Sequence, residues 1–170
     1  MPWAPRPEGK TWGVATMFDF LIVGIAATLT MDIWQRIANA LFGIPPSNWA
    51  MIGRWASYLP KGQVYHNTIA DTPAVPNENT IGWIVHYGVG ITYGAIYLIF
   101  VYYILGTGPS LFSALAFSLA AVMVTWFFME PALGLGMMAD KLPKTNEVRA
   151  YDLSCHTAFG IGLWLGSLLI

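Results

Sequence analysis

Charge is what this chain has least of. Of its 170 residues, 8 are Lys or Arg and 9 are Asp or Glu, 10% in all, against roughly 25% in a soluble domain. So few charges cannot cover a soluble domain of this length without leaving large apolar patches. Between Asn79 and Met129 there is no Asp, Glu, Lys or Arg at all. A net charge of −1 gives no electrostatic footprint for nucleic acid. The single cysteine, Cys155, excludes an internal disulfide. Motifs for haem attachment, metalloprotease zinc, a nucleophilic serine elbow or a bound nucleotide are all missing. Nothing in the chain points to an enzyme.

What is there is apolar and aromatic. Hydrophobic residues make up 56%, with 8 Trp, 8 Tyr and 9 Phe. The charge-free stretch 79–129 holds two spans of about 20 residues each, broken at Gly106, Thr107, Gly108, Pro109 and Ser110, a turn composition. The expected fold is an all-alpha membrane protein, one domain over 1–170. Four transmembrane helices form a compact bundle, at about 16–38, 81–105, 110–129 and 153–170. The first apolar region is longer than the core of a signal peptide and lacks a cleavage site, so it is expected to stay as a span. Loop 39–80 is broken by Pro45 and Pro46, with Ser47 as a candidate helix cap. Trp49, Ile52, Trp55 and Leu59 then recur at helical spacing, which predicts an interfacial helix at about 48–59. Trp49 and Trp55 suit the headgroup zone as interface anchors; a lid packed over the bundle fits the same residues. Pro60 ends this helix.

Basic residues set the orientation. Arg36, Arg54, Lys61, Lys141, Lys144 and Arg149 fall in loops 1 and 3, against Arg6 and Lys10 on the other side. Loops 1 and 3 are therefore expected in the cytoplasm and both termini outside.

Small residues recur at four-residue spacing: Gly24 and Thr28 in the first span, Gly90 and Gly94 in the second, Gly162 and Gly166 in the fourth. That spacing lets helix backbones approach closely in lipid.

The chemical content is four ionisable side chains. Asp32 lies near the end of the first span, His86 near the start of the second, Glu130 at the end of the third and His156 near the start of the fourth. Alternating helices bring all four toward the face that carries loops 1 and 3. Ionisable groups at such depth are costly and pair or serve a function. The expectation is a polar cluster in which Asp32, His86 and His156 converge. The competing arrangement is local, with Asp32 paired to Arg36 and His156 to Asp152, each at four-residue spacing. The order acid, loop, His86 and Gly90, then acid, loop, His156 and Gly160, also suggests a faint repeat of two hairpins.

Such a cluster could serve as the wet path of a small transport or permeation module, bind a metal, or hold a haem between His86 and His156. An accessory subunit of a larger membrane complex is the alternative that needs no cluster. Membrane lipid, and in the accessory case other membrane subunits, are the expected partners. After Glu130, the Pro131, Gly134 and Gly136 spacing predicts a tight re-entrant or surface turn.

Several of these segments resemble a family of small bacterial four-helix inner-membrane proteins of unknown function, a domain of unknown function. They are Gly24 to Trp34 (GIAATLTMDIW), Phe42 to Pro45 (FGIP), Gly53-Arg54-Trp55, His86-Tyr87, Pro131 with Gly134 and Gly136, and His156 with Phe159, Gly160 and Gly162. The resemblance covers about residues 24–170. It implies a four-helix fold in the bacterial inner membrane and carries no activity. In the family it resembles, a Gln often precedes the third-helix proline, where this chain has Glu130.

Overall fold

The computed structural model describes residues 15–170. Arg6 and Lys10, which enter the charge bias, lie outside the described residues.

Helix α1, Met17–Phe42, begins at a capping box. Thr16 accepts from the Asp19 backbone, and Asp19 accepts from the Thr16 N–H at 2.6 Å. These reciprocal bonds satisfy two of the donors a helix start leaves unpaired. Gly43, at φ 68°, ends it. Helix α2, Trp49–Tyr58, is capped by Asn48, whose side chain accepts from Ala50 N–H. Ser47, the expected cap, instead donates its N–H to Gln35 Oε1 on α1 at 2.8 Å. Helix α3, Glu78–Ile99, widens into a π turn at Phe100–Ile104. Helix α4, Leu111–Val124, starts at a Ser110–Ser113 capping box. It runs through a second π turn, Thr125–Met129, into the short α5, Glu130–Leu133. Helix α6 is Thr145–Ser167.

The helix expected to stop at 129 continues past Pro131. Proline brings no N–H, so a straight helix loses a bond there. The π turn absorbs the mismatch by letting Glu130 N–H reach the Thr125 carbonyl. Gly134, at φ 83°, then stops the helix.

Among the described residues, three continuous helical segments are long and apolar enough to cross a membrane: Met17–Phe42, Glu78–Ile104 and Leu111–Leu133, with mean hydropathy 1.6, 1.7 and 2.0. Only 22–28% of each apolar window is buried by the protein, which leaves most of that surface for lipid. The protein is thus an all-alpha, membrane-spanning bundle. The fourth expected span does not meet the same measure. Helix α6 starts eight residues earlier than expected, with Asn146, Glu147, Arg149 and Asp152 in its first turns, and ends at Ser167 rather than 170. The polar residues of these turns and His156 lower the mean hydropathy of the helix below that of the other three segments.

Helix α1 packs between α3 and α6, and α6 between α1 and α4. Close approach explains the small residues. A Cβ on Gly94 would lie 2.7 Å from Gly24 N, one on Gly162 would lie 2.6 Å from Ala27 Cα, and one on Gly166 would lie 2.9 Å from Val23 Cα. Gly90 lies against Thr28 and Gly160 against Ser118. The core is Val23, Ala27, Tyr97, Leu98, Val101, Ala114, Phe159 and Leu163.

Helix α2 is held to the bundle. Gly53 meets the Glu78 backbone and Gly82 meets the Trp49 backbone. Arg54 forms a two-pronged ion pair with Glu78, both bonds 2.8 Å, and donates to the Ile69 and Thr72 carbonyls at 3.1 and 2.9 Å. The bond to Glu78 holds the guanidinium above its usual pKa. Trp55, expected at the headgroups, is only 8% exposed. It donates to the Val64 carbonyl at 2.9 Å and packs with Ile69, Ala132 and Leu133. Indole needs a partner for its N–H when buried, and the folded loop supplies one. The lid arrangement, rather than a free interfacial helix, describes how α2 packs. Loops 1 and 3 meet directly, since His66 N–H donates to the Ala132 carbonyl at 2.9 Å and Gly134 abuts the Asn67 backbone.

Candidate functional site

Two helices cross where their small residues permit it, and the polar side chains one turn beyond that crossing come together. The Gly24·Thr28 and Gly90·Gly94 contact sets α1 against α3. One turn past Thr28 stands Asp32, and one turn before Gly90 stands His86. His86 Nε2 lies 2.9 Å from Asp32 Oδ1. A carboxylate only accepts, so Nε2 carries the hydrogen and Nδ1 is left as the nitrogen that can gain or lose one. Tyr87 donates its hydroxyl to Asp32 Oδ2 at 3.0 Å. Asp32 is 12% exposed and His86 8%, so each carboxylate oxygen is paired where water is scarce, as a buried charge requires. Trp49 of α2 stacks on the imidazole, with ring centres 3.6 Å apart and planes 20° from parallel. The lid helix thus closes one face of the pair. A cleft of about 60 Å³ opens beside it, lined by Asp32, Gln35, Arg36, Pro46, Ser47, Trp49 and Trp83.

Among the described residues the ion pairs are Asp32–His86, Arg54–Glu78 and Lys144–Glu147. The local pairing of Asp32 with Arg36 is therefore not the one adopted. Nor does Asp152 pair with His156. It accepts from Trp126 Nε1 of the α4 π turn at 3.0 Å.

His156 engages α4. Its Nδ1 lies 3.0 Å from the Ser118 carbonyl, so that nitrogen donates, and Nε2, 3.3 Å from Thr125 Oγ1, accepts. The Ser118 hydroxyl returns a short bond to the His156 carbonyl. Both ring nitrogens are committed to α4 and its π turn, and among the described residues no hydrogen bond, ion pair or ring contact joins His156 to the Asp32–His86 pair. Glu130 is separate again, 5% exposed. It lies against Asp152 and Arg149 of α6 and the Ala139 backbone, with Oε2 unpartnered.

The hairpin repeat has a partial counterpart in these contacts. Each histidine reaches the preceding long helix of its own hairpin, and the glycine four residues on packs against a hydroxyl residue there: Gly90 on Thr28, Gly160 on Ser118. The acids break the parallel, because Asp32 meets its histidine and Glu130 does not.

A haem held by both histidines does not fit. His86 Nε2 is bound to Asp32 under a stacked Trp49, and both nitrogens of His156 are taken. Among the described residues no three His, Cys, Asp or Glu are grouped to hold a metal ion.

The sequence does not mark Tyr87, Gln35 and His66 as site residues, although Tyr87 stands in the His86-Tyr87 segment of the family resemblance. His66 is buried, with Nδ1 2.9 Å from Thr72 Oγ1 and 3.2 Å from Gln63 Nε2. It sits in a stretch that reads as plain loop, so periodicity offers no signal. Gln35 gives a weak one, as a polar residue on the α1 face shared with Asp32 and Ala38.

A protein-family model described as a protein of unknown function (DUF2938) matches residues 21–170. No curated protein and no solved structure matches the chain.

Proposed function

The chain belongs to this family of proteins of unknown function, and on that premise we propose that it is a small membrane permeation module that passes protons, with Asp32 and His86 as the binding step. The observation that carries this is the 2.9 Å Asp32–His86 bond, buried in an apolar bundle yet beside a cleft. A carboxylate and an imidazole in contact form a unit that can accept a proton and hand it on. A proton arriving at Nδ1 makes an imidazolium whose charge Asp32 offsets through Nε2. Tyr87 holds the other carboxylate oxygen in place.

The same reading gives α6 a membrane crossing, the fourth. Its 23 residues are about 35 Å long, of which the apolar part from Leu153 to Ser167 rises about 22 Å, short of an average hydrocarbon core of about 30 Å, a mismatch that local thinning of the bilayer accommodates. Its polar first turns would sit with loops 1 and 3. Arg36, Arg54, Lys61, Lys141, Lys144 and Arg149 favour the cytoplasmic side for that face, in the bacterial inner membrane. The accessory-subunit alternative draws on exposed rings such as Phe112, Phe127 and Phe128, but lipid covers such rings equally well.

The test is reconstitution into liposomes enclosing a pH-sensitive dye, with a potassium diffusion potential to drive protons. Acidification several-fold faster than in protein-free liposomes is expected. Equal rates would reject proton permeation and leave the accessory role.

A further inference from the structure

Glu130 stands where the π turn of α4 runs into α5. It is 5% exposed, and its carboxyl comes within hydrogen-bond reach of the Asp152 carboxyl on α6. Two carboxylates only accept, so neither satisfies the other. Glu130 Oε2 is accordingly buried without a donor. Asp152 Oδ2 has the Trp126 indole at 3.0 Å, which leaves nothing to share with Glu130. Charges of one sign this close, away from water, do not both persist. Arg149 of α6 is the cation that faces Glu130. It forms no ion pair among the described residues, and its Nε donates to the Met138 carbonyl at 2.9 Å. From the Met137–Ala139 turn the Ala139 backbone reaches Glu130. Tyr151 and Cys155 lie beside Asp152 on its own helix and carry no charge near neutral pH.

We infer that Glu130 and Asp152 share one proton, a second proton-binding site apart from Asp32 and His86, and that this proton latches the turn after α5 onto α6. One proton supplies the donor that the pair lacks and removes one of its two charges. With it bound, α5 and α6 are joined carboxyl to carboxyl. When it leaves, two like charges face each other across that junction. The turn covering them is the part able to give way. Met138 and Ala139 hold left-handed backbone there, at φ 52° and 57°, a conformation that is costly for residues with a side chain. Gly134, at the head of the same turn, abuts the Asn67 backbone of loop 1. The latch therefore also steadies the loop that carries the lid. This inference does not depend on proton flux through Asp32 and His86.

Infrared spectra of the detergent-purified full chain test it without any flux measurement. They read the carbonyl stretch of protonated carboxyls as pH is raised from about 5 to about 9, the range over which buried carboxyls titrate. Exposed acids are ionised above about pH 6. The wild type should keep a protonated-carboxyl band near neutral pH, and Glu130→Gln, which builds a permanent donor in place of the proton, should abolish it. Asp152→Asn removes the second charge and supplies an amide donor, so the titration of that band should move down by about one pH unit or more. A wild type without the band, a band that survives Glu130→Gln, or a titration unmoved by Asp152→Asn overturns the shared proton. Trypsin cleavage after Lys141, compared at the alkaline end of the range, reads the latch. Both variants should be cleaved several-fold more slowly than the wild type, and equal or faster cleavage overturns it.

Discussion

Asp32 and His86 are each expensive to bury and inexpensive only together. Removing one partner of a buried pair leaves the other uncompensated, at a typical cost of about 3–5 kcal/mol. His86→Leu should therefore lower the thermal midpoint in detergent clearly, whereas Tyr87→Phe, which removes one bond to an oxygen that can turn to water in the cleft, should cost about 1 kcal/mol. Equal losses for the two variants would mean that the imidazole merely fills space. This pair was legible in the sequence because depth alone brings residue 32 of one helix level with residue 86 of the next. Tyr87 was not, since a residue one position along a helix faces about 100° away, and only the position of Asp32 between the two side chains lets both reach it. His156 shows the reverse error. Depth placed it with the others, but direction is set by packing. The closeness of Gly160 to Ser118 turns its ring onto α4.

Among the elements, the small-residue spacing of α1, α3 and α6 was plain in the chain, and helix contacts now give each residue a neighbour. Gly94→Leu would press into the α1 backbone and should cost about 1–3 kcal/mol through overpacking. Gly88→Leu, on the same helix with open space at its Cβ, should leave the thermal midpoint nearly unchanged. If both variants melt alike, the α1–α3 approach is not what the glycines serve. The lid was half legible. The helical spacing of Trp49 to Leu59 was visible, but not the reach of Arg54 to Glu78 and two loop carbonyls, because those partners lie 15 to 24 residues away. Arg54→Ala should loosen this hold, and trypsin cleavage after Lys61 in detergent should speed about tenfold, the effect of losing one charged hydrogen bond. An unchanged rate would show that Gly53 and Gly82 hold the lid alone. The two π turns were invisible to a period of 3.6, and the one before Pro131 explains why that helix does not stop where proline normally stops it.

For the whole molecule, the buried ionisable groups gather at the end of the bundle where loops 1 and 3 meet, and the opposite end holds helix-capping polar groups such as Thr16, Asp19, Ser110 and Ser113. Composition alone made the membrane class legible. The number of crossings was less so, because α6 carries its polar turns inside the helix. Single cysteines placed at 70, 108 and 145 in a Cys155-free background should place 70 and 145 on one face and 108 on the other. A further cysteine at 169, beyond the end of α6, should label from the face of 108, and its labelling from the face of 145 would remove α6 as a crossing. The account rests most heavily on Asp32 and His86 acting as one unit. Proton flux into liposomes should be measured for Asp32→Asn, His86→Gln and the double variant at matched protein content. Each single variant is expected to lose most of the flux and the double to lose no more than either, the non-additivity of groups that work together. Wild-type flux in Asp32→Asn would contradict it.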